Sequence, residues 1–362
     1  MKILQVITSM EMGGAEKLVV EFTKRLRQRE HQVDVCVMNA KDTPLLAELE
    51  KTGCHIYRFS NGGSVYNPLH IVRLWKIMRH YDIVHTHNTS PQFFAAMAAK
   101  VLCSVVLVTT EHTTSNRRRD WKWYPRALDR WMYRQYDKVV CISDQAETNL
   151  RQSIGNDNCR NVCTVYNGVD VESIHDALPL NDMHPDGKTV VVMVAGFRYQ
   201  KDQDTLIRSV KQLPADSYEL WLVGDGERRQ LLEQIADGAT NIRFLGLRTD
   251  VPRLLKTADV VVMSSHFEGL SLSNIEGMSA EKPFLASDVD GLREVTKGYG
   301  LLFAHGDSEA LADIIRRLHD DKSFYNEVAK RCYERARQFD ISLTIEKYIK
   351  VYETVVTSEH AS

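Results

Sequence analysis

Residues 1–38 read MKILQVITSMEMGGAEKLVVEFTKRLRQREHQVDVCVM, and the fold class follows from the order of patterns in this stretch. Ile3–Ile7 is a short apolar run of the kind a strand shows when a parallel sheet buries both its faces. Ala15, Leu18, Val19, Phe22 and Leu26 then recur at helical spacing on one face, and Val33–Met38 is a second apolar run. Strand, loop, helix and strand in that order form the repeating unit of a parallel α/β sheet. The rhythm continues through Ile83–His87, Val105–Thr109 and Val139–Ile142. It restarts at Val190–Ala195, Glu219–Val223, Ile242–Leu245, Val260–Met263, Pro283–Ala286 and Leu301–Phe303, with helical patterns such as Leu206–Leu213 and Ala310–Leu318 between the runs. The expectation is an α/β protein of two doubly wound sheets.

A break separates the halves. Pro179, Asn181, Asp182, Pro185, Asp186 and Gly187 crowd a stretch without sustained periodicity. The sequence therefore predicts a first domain over 1–170, a linker over 171–188, a second domain over 189–340 and a terminal helix with a polar tail over 341–362. That helix carries Ile345, Tyr348, Ile349, Val351 and Tyr352.

With 43% hydrophobic residues in 362, the chain can build cores of domain size and is not of the disordered class. Its 46 Lys plus Arg against 48 Asp plus Glu leave a net charge of -2, which gives no general field for nucleic acid. No apolar run reaches the roughly 18 residues of a membrane span. The opening residues do not read as a secretion signal. Seven scattered cysteines without a C-x-x-C pair suit neither a disulfide framework nor a zinc site. A cytoplasmic location is expected.

In open α/β sheets ligands gather at the carboxyl ends of strands, so the loops there are the candidates for chemistry. Gly13 and Gly14 sit between a strand and a helix, where paired glycines allow close backbone approach and amides attract anions. They do not complete a G-x-G-x-x-G fingerprint. The densest constellation is Glu268-Gly269-Leu270-Ser271-Leu272-Ser273-Asn274-Ile275-Glu276-Gly277-Met278. Its turn leads into a helix near Ser273, whose free amides and macrodipole favour an anion, while Glu276 is suited to a pair of ribose hydroxyls. From spacing alone, a solvated glutamate above a capping loop remains an equal alternative. His85 and His87 share one face of a strand, and they read as packing or cleft lining rather than as a metal pair, since no third ligand is identifiable.

Taken in order, the chain resembles the retaining glycosyltransferases of family four. The resemblance rests on E-x7-E followed by Glu281-Lys282-Pro283 and Ser287–Val295. It extends to Gly13–Glu16, Asp82–His87, Thr110-Glu111-His112, the region of Ser143, Tyr166–Asp170, Gln200-Lys201-Asp202 and Val223-Gly224-Asp225-Gly226. It implies the GT-B architecture: two Rossmann-like domains facing across a cleft, with the C-terminal helix crossing back to the first. It also implies a nucleotide-sugar donor, a UDP-sugar ahead of a GDP-sugar, and no cofactor or metal. Asp288-Val289-Asp290 spells the D-x-D string that holds a metal in the other glycosyltransferase fold type, but it falls where this family has an ordinary loop.

By the same resemblance His112 and Glu268 face the reacting sugar. Gly14, Lys201, Gly224, Gly269, Leu270, Ser271, Leu272 and Glu276 contact the donor, with Lys201 on the diphosphate and Glu276 on the ribose. The family's arginine five residues before that lysine is replaced by Gly196, and Arg198 is the candidate substitute, since guanidinium suits phosphate.

The acceptor is sought in 116–138. Arg117, Arg118, Arg119, Lys122, Arg126, Arg130, Arg134 and Lys138 there oppose Asp120, Asp129 and Asp137, interleaved with aromatic residues. Lys122, Arg126, Arg130 and Arg134 recur every four residues, as along one helix face. The stretch fits a lipid-linked acceptor or peripheral contact with an anionic membrane, and the alternative is a solvated helix with its aromatics in the core. The expected function is transfer of a sugar to a glycan or lipid-linked acceptor in bacterial surface polysaccharide assembly. The alternatives are another GT-B activity on a soluble acceptor, a nucleotide-sugar epimerase, or an inactive donor-binding subunit.

Overall fold

A computed structural model describes residues 1–11, 13–100, 105–112, 126–155, 161–268 and 272–360. They form two compact units, Met1–Asn167 with Ser342–Ser362, and Gly168–Ile341.

The first unit is built on β1 (Lys2–Ser9), β2 (Gln32–Asn39), β3 (Ile56–Arg58), β4 (Ile83–His87), β5 (Val106–Glu111), β6 (Lys138–Cys141) and β7 (Val162–Thr164). They make a parallel sheet in the order β3-β2-β1-β4-β5-β6-β7. The second unit holds β8 (Thr189–Val194), β9 (Tyr218–Val223), β10 (Ile242–Gly246), β11 (Val260–Met263), β12 (Phe284–Ser287) and β13 (Leu301–Phe303). They form a parallel sheet in the order β10-β9-β8-β11-β12-β13. Both are the doubly wound α/β sheets of a GT-B fold. Each reverses its strand order once, between β1 and β4 and between β8 and β11, and such a reversal opens a crevice at the carboxyl ends of the two strands.

The central strands are apolar on both faces because helices cover both sides. Val190–Val192 and Val260, Val261 and Val262 are nearly or fully buried. The second sheet sits in one core that includes Trp221, Phe284 and Ile315.

The stretch expected as a linker belongs to the second unit. Asp170 caps the short helix Val171–His175, its Oδ1 accepting from Ser173 N at 3.1 Å, and Val171 and Ile174 are buried in that unit's core. At the other end, the helix Ile341–His360 packs within the first unit, where Ile345, Tyr348 and Tyr352 are wholly buried. Burial of each large side chain contributes about 1.5–3 kcal/mol, which explains how sequence-distant residues close the first unit. No helix among the described residues is long and apolar enough to cross a membrane.

Candidate active site

The loops after β8 and β11 meet at the strand-order reversal of the second unit. After β8 the chain runs through Ala195–Arg198 into a single 3-10 turn, Tyr199–Lys201. Asp202 follows in a left-handed conformation (φ 48°, ψ 49°) and caps the helix Gln203–Val210, accepting from Thr205 N at 3.3 Å and Thr205 Oγ1 at 2.7 Å. The loop after β11 is stitched to it. Ser264 Oγ donates to the Asp202 carbonyl at 2.7 Å, and His266 N donates to the Gln200 carbonyl at 2.8 Å.

This stitching brings together two residues that lie far apart in sequence. Lys201 Nζ forms an ion pair with Glu268 Oε1, and both side chains are largely buried, 18% and 7% exposed. Ser265 Oγ donates to the same carboxylate oxygen at 2.9 Å, and Gln200 Nε2 donates to the other at 3.3 Å. Glu268 is therefore a held carboxylate, and Lys201 is already engaged before any anion arrives.

Arg198 differs. It is exposed, and its guanidinium makes no hydrogen bond or ion pair among the described residues. A β-carbon built on Gly196 would lie 3.9 Å from Arg198 Nε, so the Arg198 side chain runs past the place where a residue-196 side chain would begin.

Gly224 is a contact glycine. It has φ +139°, and a β-carbon there would collide with the Ala195 carbonyl oxygen. The loops after β8 and β9 are zipped by Ala195 N to Val223 O and Phe197 N to Asp225 O, both 2.9 Å. Gly226 serves the same approach, since a β-carbon on it would come within 2.5 Å of Phe197 O.

The helix expected near Ser273 begins at Leu272 and runs to Ser279. Leu272 packs partly buried on the core, and Glu276 is partly exposed one turn in. Gly277 lets the helix approach the sheet, where a β-carbon would come within 2.9 Å of Phe284 and Val261. Gly269, Leu270 and Ser271 lie outside the described residues.

In the first unit, Gly13 caps the helix Gly14–Gln28 with Gly14 exposed at its start. A β-carbon on Gly13 would overlap the Glu16 carboxylate. Burial raises the Glu16 pKa, opposed by hydrogen bonds that include one from Asn88 Nδ2 at 3.4 Å. Asn88 directly follows β4 at φ 69°, ψ 166°, a region costing a non-glycine residue about 1–3 kcal/mol.

His112 follows β5. Its Nε2 lies 2.9 Å from His87 Nδ1, and its Nδ1 is buried with no hydrogen-bond partner among the described residues. Burial lowers its pKa to about 4. His85 and His87 are fully buried, so neither lines a cleft. They are polar core residues, with His85 held by Tyr352 and Thr110 at 2.7 Å each and His87 by Gln5 and His112.

One group among the described residues has metal-ligating geometry. Asp202, His266 and His305 place one ligand atom each within 4.8 Å of one another, with His266 Nδ1 and His305 Nε2 at 2.6 Å. The D-x-D aspartates are engaged by an arginine: Arg293 Nε reaches Asp288 at 2.5 Å and Arg293 Nη1 reaches Asp290 at 2.9 Å.

Arg117, Arg118, Arg119 and Lys122 lie outside the described residues. Arg126 opens the helix Arg126–Tyr133, and Arg130 and Arg134 are exposed. The described aromatics of this stretch are core groups: Tyr133 donates to buried Glu111, Tyr136 donates to the Gln92 carbonyl at 2.7 Å, and Trp131 packs on the same cluster.

Sequence reasoning passed over Gln5, Glu16, Asn88, Gln200 and Ser265. Glu16 and Gln200 stood within quoted motifs, Ser265 shows its role through Glu268 three residues on, and Gln5 and Asn88 show theirs only through partners distant in sequence.

Residues 12–173 match the pattern of Glycosyltransferase Family 4, and residues 188–321 that of Glycosyl transferases group 1. The chain belongs to the group 1 glycosyltransferases of family 4. This glycosyltransferase is 28% identical to a phosphatidyl-myo-inositol mannosyltransferase of Mycobacterium leprae, over 96% of this chain and 94% of that one. It is 25% identical to an Escherichia coli UDP-Gal:alpha-D-GlcNAc-diphosphoundecaprenol alpha-1,3-galactosyltransferase, over 80% of each chain. Its fold matches that of Anabaena Alr3699/HepE in complex with UDP, with a TM-score of 0.82 at 22% identity over 98% of this chain and 100% of the other.

Proposed function

We propose that this glycosyltransferase moves a sugar from a nucleotide-sugar, a UDP-sugar ahead of a GDP-sugar, to a lipid-linked glycan acceptor, with retention of configuration and without a metal. The observation that carries the reading is the corner of the second unit where Arg198 and Lys201 stand in the loop after β8, with Lys201 paired to the held carboxylate of Glu268 from the loop after the neighbouring strand β11. Cleavage of the sugar–phosphate bond leaves growing negative charge on the diphosphate, and fixed cations at that place stabilise it. Glu276 accepts from the ribose hydroxyls, while Glu268 and His112 act on the transferred sugar. Among the described residues the carboxylate assigned to the sugar, Glu268, is already engaged by Lys201, Ser265 and Gln200, which favours front-face substitution over a covalent glycosyl intermediate. In that step the bond from the anomeric carbon to the diphosphate oxygen breaks, the bond to the acceptor oxygen forms on the same face, and the acceptor's hydroxyl proton passes to the departing diphosphate.

The names of the relatives support the acceptor class, since one acts on a phosphatidyl-myo-inositol and another on a sugar-diphosphoundecaprenol. Work at the inner face of a cytoplasmic membrane, in surface polysaccharide assembly, belongs to the same proposal. Its test is thermal stabilisation of the purified protein by UDP, GDP, ADP and their sugar conjugates, with and without EDTA, because a ligand of the folded state raises its stability by mass action. An EDTA-insensitive shift with the uridine compounds, and UDP release dependent on a lipid-diphosphate acceptor, are the expected results. Loss of donor binding on EDTA treatment refutes the metal-free reading and makes Asp202, His266 and His305 the first ligands to replace. No shift with any nucleotide refutes the donor assignment.

A further inference from the structure

Gln5, His87 and His112 form a diagonal line across three adjacent strands. In the β1–β4 register Gln5 stands opposite His85, and in the β4–β5 register His87 stands opposite Thr110. Alternate residues of a strand share a face, so Gln5 on β1, His87 at the end of β4 and His112 just past β5 follow one another on one side of the sheet. Gln5 Oε1 lies 2.6 Å from His87 Nε2, and His87 Nδ1 lies 2.9 Å from His112 Nε2. Gln5 and His87 are wholly buried, and the line ends at the buried His112 Nδ1, which has no partner among the described residues.

The hydrogens along this line are determined by its first member. An amide oxygen only accepts, so His87 Nε2 carries the hydrogen. Burial and the neighbouring rings hold the His87 pKa well below its usual value, and burial lowers that of His112 to about 4. Both imidazoles are neutral at pH 7 and carry one hydrogen each. His87 Nδ1 is therefore bare and accepts from His112 Nε2–H, which leaves His112 Nδ1 bare in turn. The neighbouring His85 is held separately by Tyr352 and Thr110, with Thr110 Oγ1 2.9 Å from the Tyr348 hydroxyl. It does not compete for His87.

We propose that Gln5 and His87 are positioning residues that lock His112 in its Nε2–H tautomer, so that the group it offers the transferred sugar is a hydrogen-bond acceptor for a hydroxyl. This rests on the reading above that His112 acts on the sugar. A neutral acceptor, already desolvated, sorts donor sugars by whether they present a hydroxyl there, because a site built to take a hydrogen bond rejects the analogue lacking it.

The test begins without substrate. Nitrogen-15 NMR of the full chain labelled in histidine, with His112 assigned by the signals lost in His112→Gln, reads which ring nitrogen is protonated at pH 7. The expected result is a bare Nδ1 and a protonated Nε2, and a protonated Nδ1 overturns the proposal. Gln5→Leu removes the acceptor that starts the line. It is expected to give a mixture of His112 tautomers and a kcat lower by about tenfold, with UDP affinity within twofold of the parent. His87→Asn, whose amide can present oxygen to His112, is expected to keep part of the wild-type kcat where His87→Phe does not. An unchanged single tautomer in Gln5→Leu overturns the positioning role, and the wild-type spectrum decides the tautomer even if that variant does not fold. If no nucleotide-sugar binds while the Nε2–H tautomer is observed, the reading of donor use fails and the hydrogen-bonded line stands.

Discussion

If Arg198 stands in for the arginine that Gly196 replaces, the charge should be movable between the two positions. Removing it with Arg198→Ala deletes a charge-assisted contact worth about 1.5–3 kcal/mol. The side chain is exposed, so the lower end applies, and UDP affinity should fall roughly tenfold. Restoring it as Gly196→Arg is sterically open. A β-carbon at 196 meets only the Asp225 carbonyl oxygen at 3.8 Å and Arg198 Nε at 3.9 Å, both ordinary contacts, and Gly196 is not among the positive-φ residues. The double variant Gly196→Arg, Arg198→Ala should therefore recover UDP affinity to within about threefold of wild type, since only the origin of the guanidinium changes. Gly196→Arg alone should gain little, because two guanidinium groups then crowd one place.

Isothermal titration with UDP on the four proteins reads the cycle, with thermal unfolding confirming that each is folded. Unchanged affinity in Arg198→Ala refutes any diphosphate contact. A tenfold loss that the double variant does not recover refutes the substitution argument while leaving Arg198 as a ligand in its own position.

The Lys201–Glu268 pair should show strong coupling: removing one partner from a largely buried pair strands the other at about 3–5 kcal/mol, and urea unfolding of Lys201→Met, Glu268→Gln and the double variant should give a coupling energy above about 1 kcal/mol. Additive effects would show that the two groups do not interact. Acid should destabilise the first unit in proportion to its buried neutral histidines. His85, His87 and His112 all have pKa values depressed by burial, so below pH about 6.5 the unfolded chain takes up protons that the fold refuses, at about 1.4 kcal/mol per histidine per pH unit. The melting temperature should fall steeply between pH 6.5 and 5, and less steeply in His85→Gln; a flat profile there would mean these rings are not buried and neutral.

The two sheets were legible in the sequence wherever a strand is buried on both faces, because runs such as Val190–Val192 and Val260, Val261 and Val262 are continuously apolar, β-branched and too short for a buried helix. The strands passed over are β3 and β7, three-residue edge strands of mixed composition, Ile-Tyr-Arg and Val-Cys-Thr, whereas the equally short edge strand β13 was read because Leu-Leu-Phe is wholly apolar. The stretch read as a linker, 171–188, falls within the second unit. Proline and asparagine mark its irregular backbone correctly, but two buried side chains, Val171 and Ile174, are enough to fasten the segment to the second core, and two residues make no pattern.

The site was legible as residue types rather than as partnerships. Lys201 and Glu268 were both assigned to the donor, one for its charge and one for its carboxylate, and nothing local indicates that they bind each other. That contact depends on β8 and β11 being neighbours, so that loops separated by 67 residues leave the sheet side by side. The His-x-His pair makes the same point in the opposite direction. On one strand, two imidazoles on one face look like the beginning of a metal site. Whether they become one depends on what the flanking strands and the covering helix present. Here Gln5, His112, Thr110 and Tyr352 supply a hydrogen-bond partner to all four ring nitrogens of His85 and His87. With every lone pair and N–H engaged, neither ring has a nitrogen left for a cation. The unmet valence moves outward to His112 Nδ1 at the end of the line, which is where a ligand hydroxyl can satisfy it.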